Sequence, residues 1–322
     1  MQPEYVVINM IPREDLVIER SILDKYGYRV EQGSGNSVEE LIDNAREAHA
    51  LIGSHQPYTR KVFEELKLLK IVALIGVGHD TVDLKAAEDH GIRVTNVPDL
   101  ITDPVADHTL GLILALIRQI PQGFDLVKLG VWESRMWKWA PNVSKLSALT
   151  AGIVGFGRTG QAVAKRLKAF GTRIMAFDPY VKQVAEPDVT LFSSLKDLLP
   201  RVDILCLHAF LSEETHNMIG EAELKSMKRT AILVNASRGA LIDEKSLYTA
   251  LCQGWIAGAA LDVMEPEPPT NDNPLLKSDR VIITPHVAFY SQESLVEQRR
   301  RTAEEVARAL QGLPALHPLT KA

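Results

Sequence analysis

Cysteine is scarce in this chain, with only two among 322 residues. Cys206 and Cys252 are far apart in sequence, so they form neither a CxxC pair nor a cluster with the spacing of metal ligands. A small scaffold held together by disulfides is therefore excluded. We predict a protein of a reducing compartment, the cytoplasm, with no bound metal.

Basic runs and long apolar runs are also lacking. The net charge of −5 and the pI of about 6.0 leave no basic surface for a nucleic-acid backbone. The longest apolar stretch, residues 110–117, is too short to span a bilayer, and the opening MQPEYVVINM does not resemble a signal peptide. We therefore expect neither nucleic acid nor membrane as a partner.

Short β-branched runs alternate with helix-like stretches along the whole chain, which favours parallel strands joined by crossover helices. The predicted strands lie at residues 5–9, 48–53, 70–75 and 92–95, and then at 153–154, 174–177, 204–207, 232–234, 259–261 and 281–284. The second series gives six strands, enough for a complete doubly wound sheet. The predicted fold class is α/β, with two Rossmann-like domains.

A strongly apolar helix is predicted between the two strand series, over residues 104–120, with Pro104 at its start and Pro121 after its end. Its apolar residues surround the helix, so we expect burial against a second subunit and hence a homodimer. The segment 123–148 is predicted to be irregular. Its three tryptophans, Trp132, Trp137 and Trp139, are interpreted as packing or dimer residues.

The predicted domain boundaries follow from the end of the chain. Residues 293–310 form a charged amphipathic helix with no further strand to accompany it, so this helix is expected to return to the first domain. The first domain then comprises residues 1–100 and 290–322, and the second comprises residues 101–289.

A glycine motif opens the second strand series. In GIVGFGRTG, Gly155 permits a tight turn, Gly157 lets the backbone approach a pyrophosphate, and Gly160 lets helix and strand pack closely. An apolar strand precedes the motif and a helix follows it, whose first amides can bind phosphate. A ligand-free glycine turn is the alternative, but the ordered strand, turn and helix favour a dinucleotide site.

Asp178 ends the next predicted strand, about twenty residues after the glycines. A carboxylate at this position accepts hydrogen bonds from the adenosine ribose and repels a 2′-phosphate. The sequence therefore predicts NAD as the cofactor in preference to NADP.

Three ionisable residues follow predicted strand ends. Arg238 comes after ILVNAS, Glu267 after AALDVMEP and His286 after VIITP. Ligands of doubly wound sheets bind at the carboxyl ends of the strands, so these side chains are expected to share the cofactor's edge. Each has a plain interpretation by itself: an exposed arginine, an acid in a proline-rich loop and a histidine that caps a strand.

Together the three residues suit reduction of a 2-keto acid to a 2-hydroxy acid. Arg238 can hold the substrate carboxylate and polarise the carbonyl, and His286 can donate a proton to the oxygen that becomes negative. Glu267 can favour the charged imidazole and fix its tautomer. The predicted cofactor for the hydride is NAD.

Long segments of the chain resemble the D-isomer-specific 2-hydroxyacid dehydrogenase family. They are IGVGHDTVD (75–83), GIRVTNVP (91–98), VADHTLGLILAL (105–116), GIVGFGRTG (152–160), DILCLHAFLSEETHNMI (203–219), MKRTAILVNASRGALIDE (227–244), GAALDVMEPEP (258–268) and TPHVAFYS (284–291). They occur in the family's order over nearly the whole chain. The resemblance implies an NAD-dependent enzyme with Arg238, Glu267 and His286 as its catalytic residues, and a flavodoxin-like substrate domain.

The resemblance also implies further contacts. Asp262 would meet the nicotinamide carboxamide, and the backbone amides of Val77 and Gly78 would bind the substrate carboxylate between the domains. His208 is interpreted as structural or close to the cofactor, and Phe289 and Tyr290 as determinants of substrate choice. The expected cofactor residues are Gly155, Gly157, Arg158, Thr159, Gly160, Asp178, Pro179, His208, Ala236 and Asp262.

Two alternatives remain within the family. The branch that the chain most resembles includes D-3-phosphoglycerate dehydrogenases and the C-terminal-binding-protein co-repressors, so it also offers a phosphoglycerate substrate or an NAD-gated interaction module with weak turnover. Leu74 and His55 depart from these relatives, and no additional cation is evident for a phosphate. These departures favour a small or moderately apolar 2-keto acid. Phe210 stands where the family usually has proline.

Overall fold

The computed structural model describes residues 5–12, 15–132, 143–184 and 187–321. The chain forms two compact units, Met1–Ile101 with Tyr290–Ala322, and Thr102–Phe289. Trp137 and Trp139, two of the predicted packing residues, lie outside the described residues.

The first unit contains a five-stranded parallel sheet in the order β2-β1-β3-β4-β5, which is the flavodoxin-like order. Its strands are β1 (Val6–Asn9), β2 (Arg29–Gln32), β3 (Ala50–Gly53), β4 (Ile71–Leu74) and β5 (Arg93–Thr95). Its helices are α1 (Val17–Leu23), α2 (Val38–Ala45), α3 (Arg60–Glu65), α4 (Leu84–Asp89) and α11 (Gln292–Leu310). The sequence did not predict β2, an edge strand that buries only Val30.

Helix α11 belongs to the first unit, where it packs on α1, β3 and β4. Arg299 of α11 makes two hydrogen bonds to the Glu19 carboxylate of α1, at 2.8 and 2.6 Å, with both side chains largely buried. The chain beyond α11 then pairs with β5, since the Leu319 amide donates to the Val94 carbonyl at 2.8 Å. The segment after α11 therefore also belongs to this unit.

The second unit contains a seven-stranded parallel sheet in the order β12-β11-β10-β9-β6-β7-β8. Its strands are β6 (Thr150–Val154), β7 (Arg173–Phe177), β8 (Val189–Phe192), β9 (Ile204–Leu207), β10 (Ile232–Asn235), β11 (Gly258–Leu261) and β12 (Val281–Ile283). Its helices are α5 (Thr102–Ile117), α6 (Ile120–Lys128), α7 (Arg158–Ala169), α8 (Leu195–Leu198), α9 (Glu221–Ser226) and α10 (Glu244–Gln253). The sheet has one strand more than predicted, because β8 is an edge strand that buries only Val189.

The predicted apolar helix over residues 104–120 is two helices. Helix α5 ends at Ile117, and Pro121 lies in the first turn of α6, where a missing amide hydrogen costs nothing. The two helices meet at 60°. Helix α5 buries one face against α7, whereas α6 buries none of its residues. Among the described residues, neither of these helices nor any other is by itself long and apolar enough to cross a bilayer, and α5 and α6 meet that criterion only when counted together.

Candidate active site

The candidate site lies at the carboxyl edge of the seven-stranded sheet. Strands β6 and β9 are neighbours there, although β7 and β8 come between them in sequence, so the chain order reverses at this point. Parallel sheets of this kind bind ligands in the crevice beside such a reversal. The loops after β6, β7, β9, β10, β11 and β12 all begin at this edge.

The glycine loop after β6 is tightly constrained at two of its three glycines. Gly155 has φ of +86°, and a Cβ atom there would lie 2.5 Å from the Ala209 nitrogen. A Cβ at Gly160 would lie 2.2 Å from the Gly155 carbonyl oxygen. The loop and α7 therefore adopt this close packing only with glycine at both positions.

Gly157 is different, because a Cβ atom there would have no heavy atom within 4 Å. The protein itself does not require glycine at this position. Gly157 is also the N-cap of α7, where no side chain caps the helix. Open space beside an uncapped twelve-residue helix fits the pyrophosphate of a dinucleotide. Arg158 and Thr159, both predicted cofactor residues, form the first turn of this helix.

Asp178 follows β7 and is fixed by two backbone hydrogen bonds. Its Oδ2 atom accepts from the Phe156 amide at 2.8 Å, and its Oδ1 atom accepts from the Tyr180 amide at 2.9 Å. The carboxylate is thus held beside the glycine loop, with acceptor capacity left on both oxygens. Pro179 comes next in the chain and is exposed.

His208 follows β9, and its backbone contacts the glycine loop at Gly155. Its Nε2 atom is buried and has no hydrogen-bond partner within the described part of the chain. Burial lowers the pKa of this imidazole to about 4, so it is neutral at pH 7. A neutral ring with an unused nitrogen fits a structural residue beside the cofactor, and this role stays a prediction.

His286 and Glu267 are brought together by the loops after β12 and β11. The His286 Nδ1 atom lies 2.6 Å from Glu267 Oε2, and Glu267 Oε1 accepts a hydrogen bond from the Met264 amide at 2.9 Å. Glu267 therefore orients the imidazole and is itself oriented by the backbone. Since Nδ1 faces Glu267, Nε2 is the candidate nitrogen for proton exchange with a substrate.

Arg238 lies in the loop after β10, where it is half-buried and its guanidinium donates to the Ser237 carbonyl at 2.8 Å. The following residue, Gly239, packs so closely on the loop after β11 that a Cβ atom would lie 2.1 Å from the Met264 carbonyl carbon. Since the Met264 amide also binds Glu267, the loops that carry Arg238 and Glu267 are in direct contact. Ala236, a predicted cofactor residue, is half-buried in the same loop.

Asp262, expected to meet the nicotinamide, is 1% exposed, and both of its carboxylate oxygens accept hydrogen bonds from protein groups. The partners are the Thr284 hydroxyl and the amides of Val287 and Ala288. The structure thus assigns Asp262 a role in holding the loop of His286. Its contact with the nicotinamide stays a prediction.

The predicted substrate residues are divided between the two units. Phe289 lies beside His286, with ring centroids 6.1 Å apart in an edge-on arrangement. Tyr290, Val77 and Gly78 belong to the first unit. There the Val77 carbonyl accepts from the Asn96 side chain at 2.9 Å, which fixes the turn after β4.

The sequence analysis assigned no site role to Thr284 or to His108. The structure places His108 Nε2 2.9 Å from the Thr284 hydroxyl oxygen, although the two residues are 176 positions apart. A threonine before Pro-His carries no signal of such a contact in a single sequence. The contact could have been suspected only from the expected packing of α5 on the sheet.

The fold and this edge of the sheet define the class of the protein. Doubly wound sheets with this strand order bind dinucleotides at the reversal point, and the glycine loop with Asp178 fits one here. A histidine held by a carboxylate at the same edge can transfer a proton to a substrate. A protein of this kind is an oxidoreductase that uses a nicotinamide dinucleotide.

Comparison with known proteins identifies the family. Residues 110–288 match the family described as D-isomer specific 2-hydroxyacid dehydrogenase, NAD binding domain. The chain belongs to the D-isomer-specific 2-hydroxyacid dehydrogenase family, as its motifs predicted, and is an NAD-dependent D-2-hydroxyacid dehydrogenase. The predicted α/β class with two Rossmann-like parallel sheets is also confirmed.

Three relatives illustrate the match. A glyoxylate reductase of Korarchaeum cryptofilum is 40% identical over 96% of this chain and 92% of its own length. A D-3-phosphoglycerate dehydrogenase of Methanocaldococcus jannaschii is 42% identical over 90% of this chain, which spans only 55% of that protein. A D-lactate dehydrogenase of Aquifex aeolicus, solved in complex with NAD and lactic acid, is 29% identical with a TM-score of 0.84, over 95% of this chain and 96% of that chain.

Proposed function

We propose that the protein reduces a small 2-keto acid with NADH, and that glyoxylate is among its substrates. The observation that carries the proposal is the 2.6 Å contact between His286 Nδ1 and Glu267 Oε2, which prepares His286 for proton transfer. Glyoxylate is favoured because a glyoxylate reductase matches this chain along nearly its full length.

The proposed mechanism assigns one task to each residue. Arg238 pairs with the substrate carboxylate and polarises the keto oxygen. Glu267 accepts a hydrogen bond from the Nδ1–H group of the charged imidazole, so the proton that His286 donates to the oxygen that becomes negative is the one on Nε2. When bound, NADH supplies the hydride for C2. In the direction of oxidation, Nε2 takes up the hydroxyl proton.

We assign the remaining predicted substrate contacts to Val77, Gly78, Phe289 and Tyr290. The amides of Val77 and Gly78 are proposed to bind the substrate carboxylate, because the turn that carries them is held at the Val77 carbonyl by Asn96. Phe289 is proposed to limit the size of the substrate beside His286, since its ring already contacts the imidazole. The first unit, with its flavodoxin-like sheet, would then serve as the substrate-binding domain.

The cofactor is proposed to be NAD in preference to NADP. The carboxylate of Asp178 is fixed beside the glycine loop by the Phe156 and Tyr180 amides, where it would repel a 2′-phosphate. We expect kcat/KM for NADH to exceed that for NADPH by at least tenfold, about 1.4 kcal/mol of discrimination. Equal use of the two cofactors would refute this role of Asp178.

A substrate panel tests the function directly. NADH oxidation would be followed with glyoxylate, hydroxypyruvate, pyruvate, phenylpyruvate, longer-chain keto acids and 3-phosphohydroxypyruvate. We expect turnover of the small acids, and His286→Ala should lower kcat by roughly 10²–10⁴-fold while leaving NADH affinity nearly unchanged. Fastest turnover of 3-phosphohydroxypyruvate would instead favour a phosphoglycerate dehydrogenase. NADH binding without turnover of any acid would contradict the proposal and favour an NAD-gated interaction module.

We further propose a homodimer. The predicted basis was the apolar helix over residues 104–120, but the structure shows that the exposed apolar face belongs to α6, where Ile120, Phe124 and Val127 are all exposed. A helix with no buried residue and large apolar side chains on its surface is typical of an interface. The second copy of the chain is the proposed partner of this face.

A further inference from the structure

Three consecutive amides after Pro285 bind a single residue, Asp262. The Asp262 carbonyl accepts from the His286 amide at 2.8 Å, and its carboxylate accepts from the Val287 amide at 3.0 Å and the Ala288 amide at 2.8 Å. The carboxylate is almost completely buried, so water does not compete for these hydrogen bonds. Asp262 therefore fixes the path of the backbone on which His286 stands.

Thr284 and His108 extend this arrangement toward α5. The Thr284 hydroxyl donates to Asp262 Oδ1 at 2.6 Å, and His108 Nε2 lies 2.9 Å from the Thr284 hydroxyl oxygen. Because the only proton of the hydroxyl is directed at Asp262, its oxygen must accept the hydrogen bond from His108. His108 Nε2 consequently carries a proton, and this nitrogen also lies 3.5 Å from Asp262 Oδ1.

The backbone of His286 has a conformation that needs such support. Its φ of +51° is in the left-handed region, which residues with a Cβ atom rarely adopt. Conformations of this kind persist where the surroundings determine them from several sides, and they cluster at functional sites. Here the imidazole is held by Glu267 and the backbone by Asp262.

We propose that His108, Thr284 and Asp262 form a positioning relay that keeps His286 in its catalytic orientation. The three are positioning residues, since they act through the loop of His286. The expected effect of the relay on turnover rests on the proposed function. The expected effect of the relay on the loop of His286 does not. Removal of the Thr284 hydroxyl would free Oδ1 of Asp262 to turn away from the Val287 amide, and the His286 backbone would then leave the left-handed conformation.

The competing role of Asp262 is the predicted contact with the nicotinamide carboxamide. The two roles differ in what they demand of Thr284. If Asp262 belongs to a positioning relay, loss of the Thr284 hydroxyl lowers turnover. If Asp262 contacts the carboxamide, the same loss weakens NADH binding. The relay is favoured because the Asp262 carboxylate is buried and already accepts three hydrogen bonds from protein donors, two of them in the loop of His286.

The test compares Thr284→Val with Thr284→Ser. Valine keeps the branched shape of threonine and removes the hydroxyl, whereas serine keeps the hydroxyl. The first measurement is hydrogen exchange of the apo protein, where Val287 and Ala288 should exchange faster in Thr284→Val and at the wild-type rate in Thr284→Ser. Unchanged protection of these two amides in Thr284→Val would overturn the relay, whatever the substrate of the enzyme is.

The second measurement is turnover of the 2-keto acid that the wild-type protein reduces. We expect kcat to fall about tenfold in Thr284→Val with little change in NADH affinity, because a small displacement of a catalytic group costs up to about a hundredfold in rate. Thr284→Ser should restore most of the rate. A loss of NADH affinity at wild-type kcat would refute the relay in favour of the carboxamide contact. A wild-type protein that turns over no acid would refute the proposed function and leave the exchange result standing.

His108 provides an independent pair of variants if Thr284→Val fails to fold. His108→Leu removes the donor to Thr284, whereas His108→Gln retains an N–H group on a side chain of similar reach. We expect faster exchange at Val287 and a fall in kcat of about threefold in the leucine variant, with recovery in the glutamine variant. Equal rates in the two variants would remove His108 from the relay.

Discussion

His208, whose Nε2 atom is buried, illustrates how a single side chain sets a property of the folded protein. Its pKa is lowered to about 4 by burial, whereas an imidazole in the unfolded chain titrates near about 6.5. Between these two values the unfolded chain binds more protons than the folded one. The contribution of His208 to stability is therefore complete above about pH 6.5 and is lost as the pH falls toward about 4.

This shift leads to a measurable prediction. The free energy of unfolding of the apo protein should fall by about 2 kcal/mol between pH 7.5 and pH 5 on account of His208. Urea unfolding at the two pH values, carried out on the wild type and on His208→Asn, isolates this contribution as the difference between the two proteins. If the wild type and His208→Asn lost the same stability on acidification, the His208 imidazole would not be buried in its neutral form.

At the residue scale, the sequence indicated the residues that can carry out the chemistry more readily than the residues that hold them in place. Arg238, Glu267 and His286 follow strand ends and carry groups suited to proton transfer, so they could be singled out, and the structure brings Glu267 and His286 into contact. Thr284 and His108 could not be singled out. Their importance depends on a contact between α5 and the end of β12, and a single sequence contains no record of such a contact.

At the scale of elements, several strands in the middle of the sheets were predicted to within two residues at each end. Strands such as β3, β4 and β9 are fully buried and therefore appear as continuous apolar runs. The edge strands β2 and β8 each bury one residue, so their sequences lack this signal. Pro121 was interpreted as the end of a helix, although the same residue type also begins helices, as it does in α6.

Helix α11 is attached to its unit by a buried ion pair, and this leads to a prediction on stability. Arg299 and Glu19 are 10% and 2% exposed, and hydrogen bonding to Glu19 raises the pKa of Arg299. Glu19→Gln removes the buried charge beside Arg299 and leaves the more exposed Asp15 carboxylate, at 3.2 Å, as a counter-charge. We expect a loss of about 3 kcal/mol in the free energy of unfolding. Chemical denaturation measures this loss.

The control for this prediction is another carboxylate in the same unit. Asp43 pairs with Arg46 on the surface at 2.9 Å, with both side chains more than half exposed. Asp43→Asn should cost less than about 1 kcal/mol, because solvent screens exposed pairs. Similar losses for Glu19→Gln and Asp43→Asn would show that the buried Arg299–Glu19 pair contributes no more to stability than an exposed pair.

At the scale of the whole molecule, the proposed homodimer depends on α6. Phe124 is 59% exposed in the middle of this helix, so a charge at this position should prevent a second copy from packing against it. We expect Phe124→Glu to sediment as a monomer and the wild type as a dimer. Phe170→Glu, at an exposed position just after α7, serves as the control and should remain dimeric. A wild-type monomer, or a dimeric Phe124→Glu, would disprove the role of α6.

The return of α11 to the first unit has a consequence for biosynthesis. Residues 290–321 leave the ribosome after the whole of Thr102–Phe289, yet they supply α11 and the strand-like contact to β5. The second unit is continuous in sequence and has all of its strands available earlier, so it is the unit that can fold first during translation. The five strands of the first unit are synthesised before those of the second, yet part of their apolar sheet stays uncovered until α11 has been made. This part of the nascent chain is therefore the one for which a chaperone has most to shield.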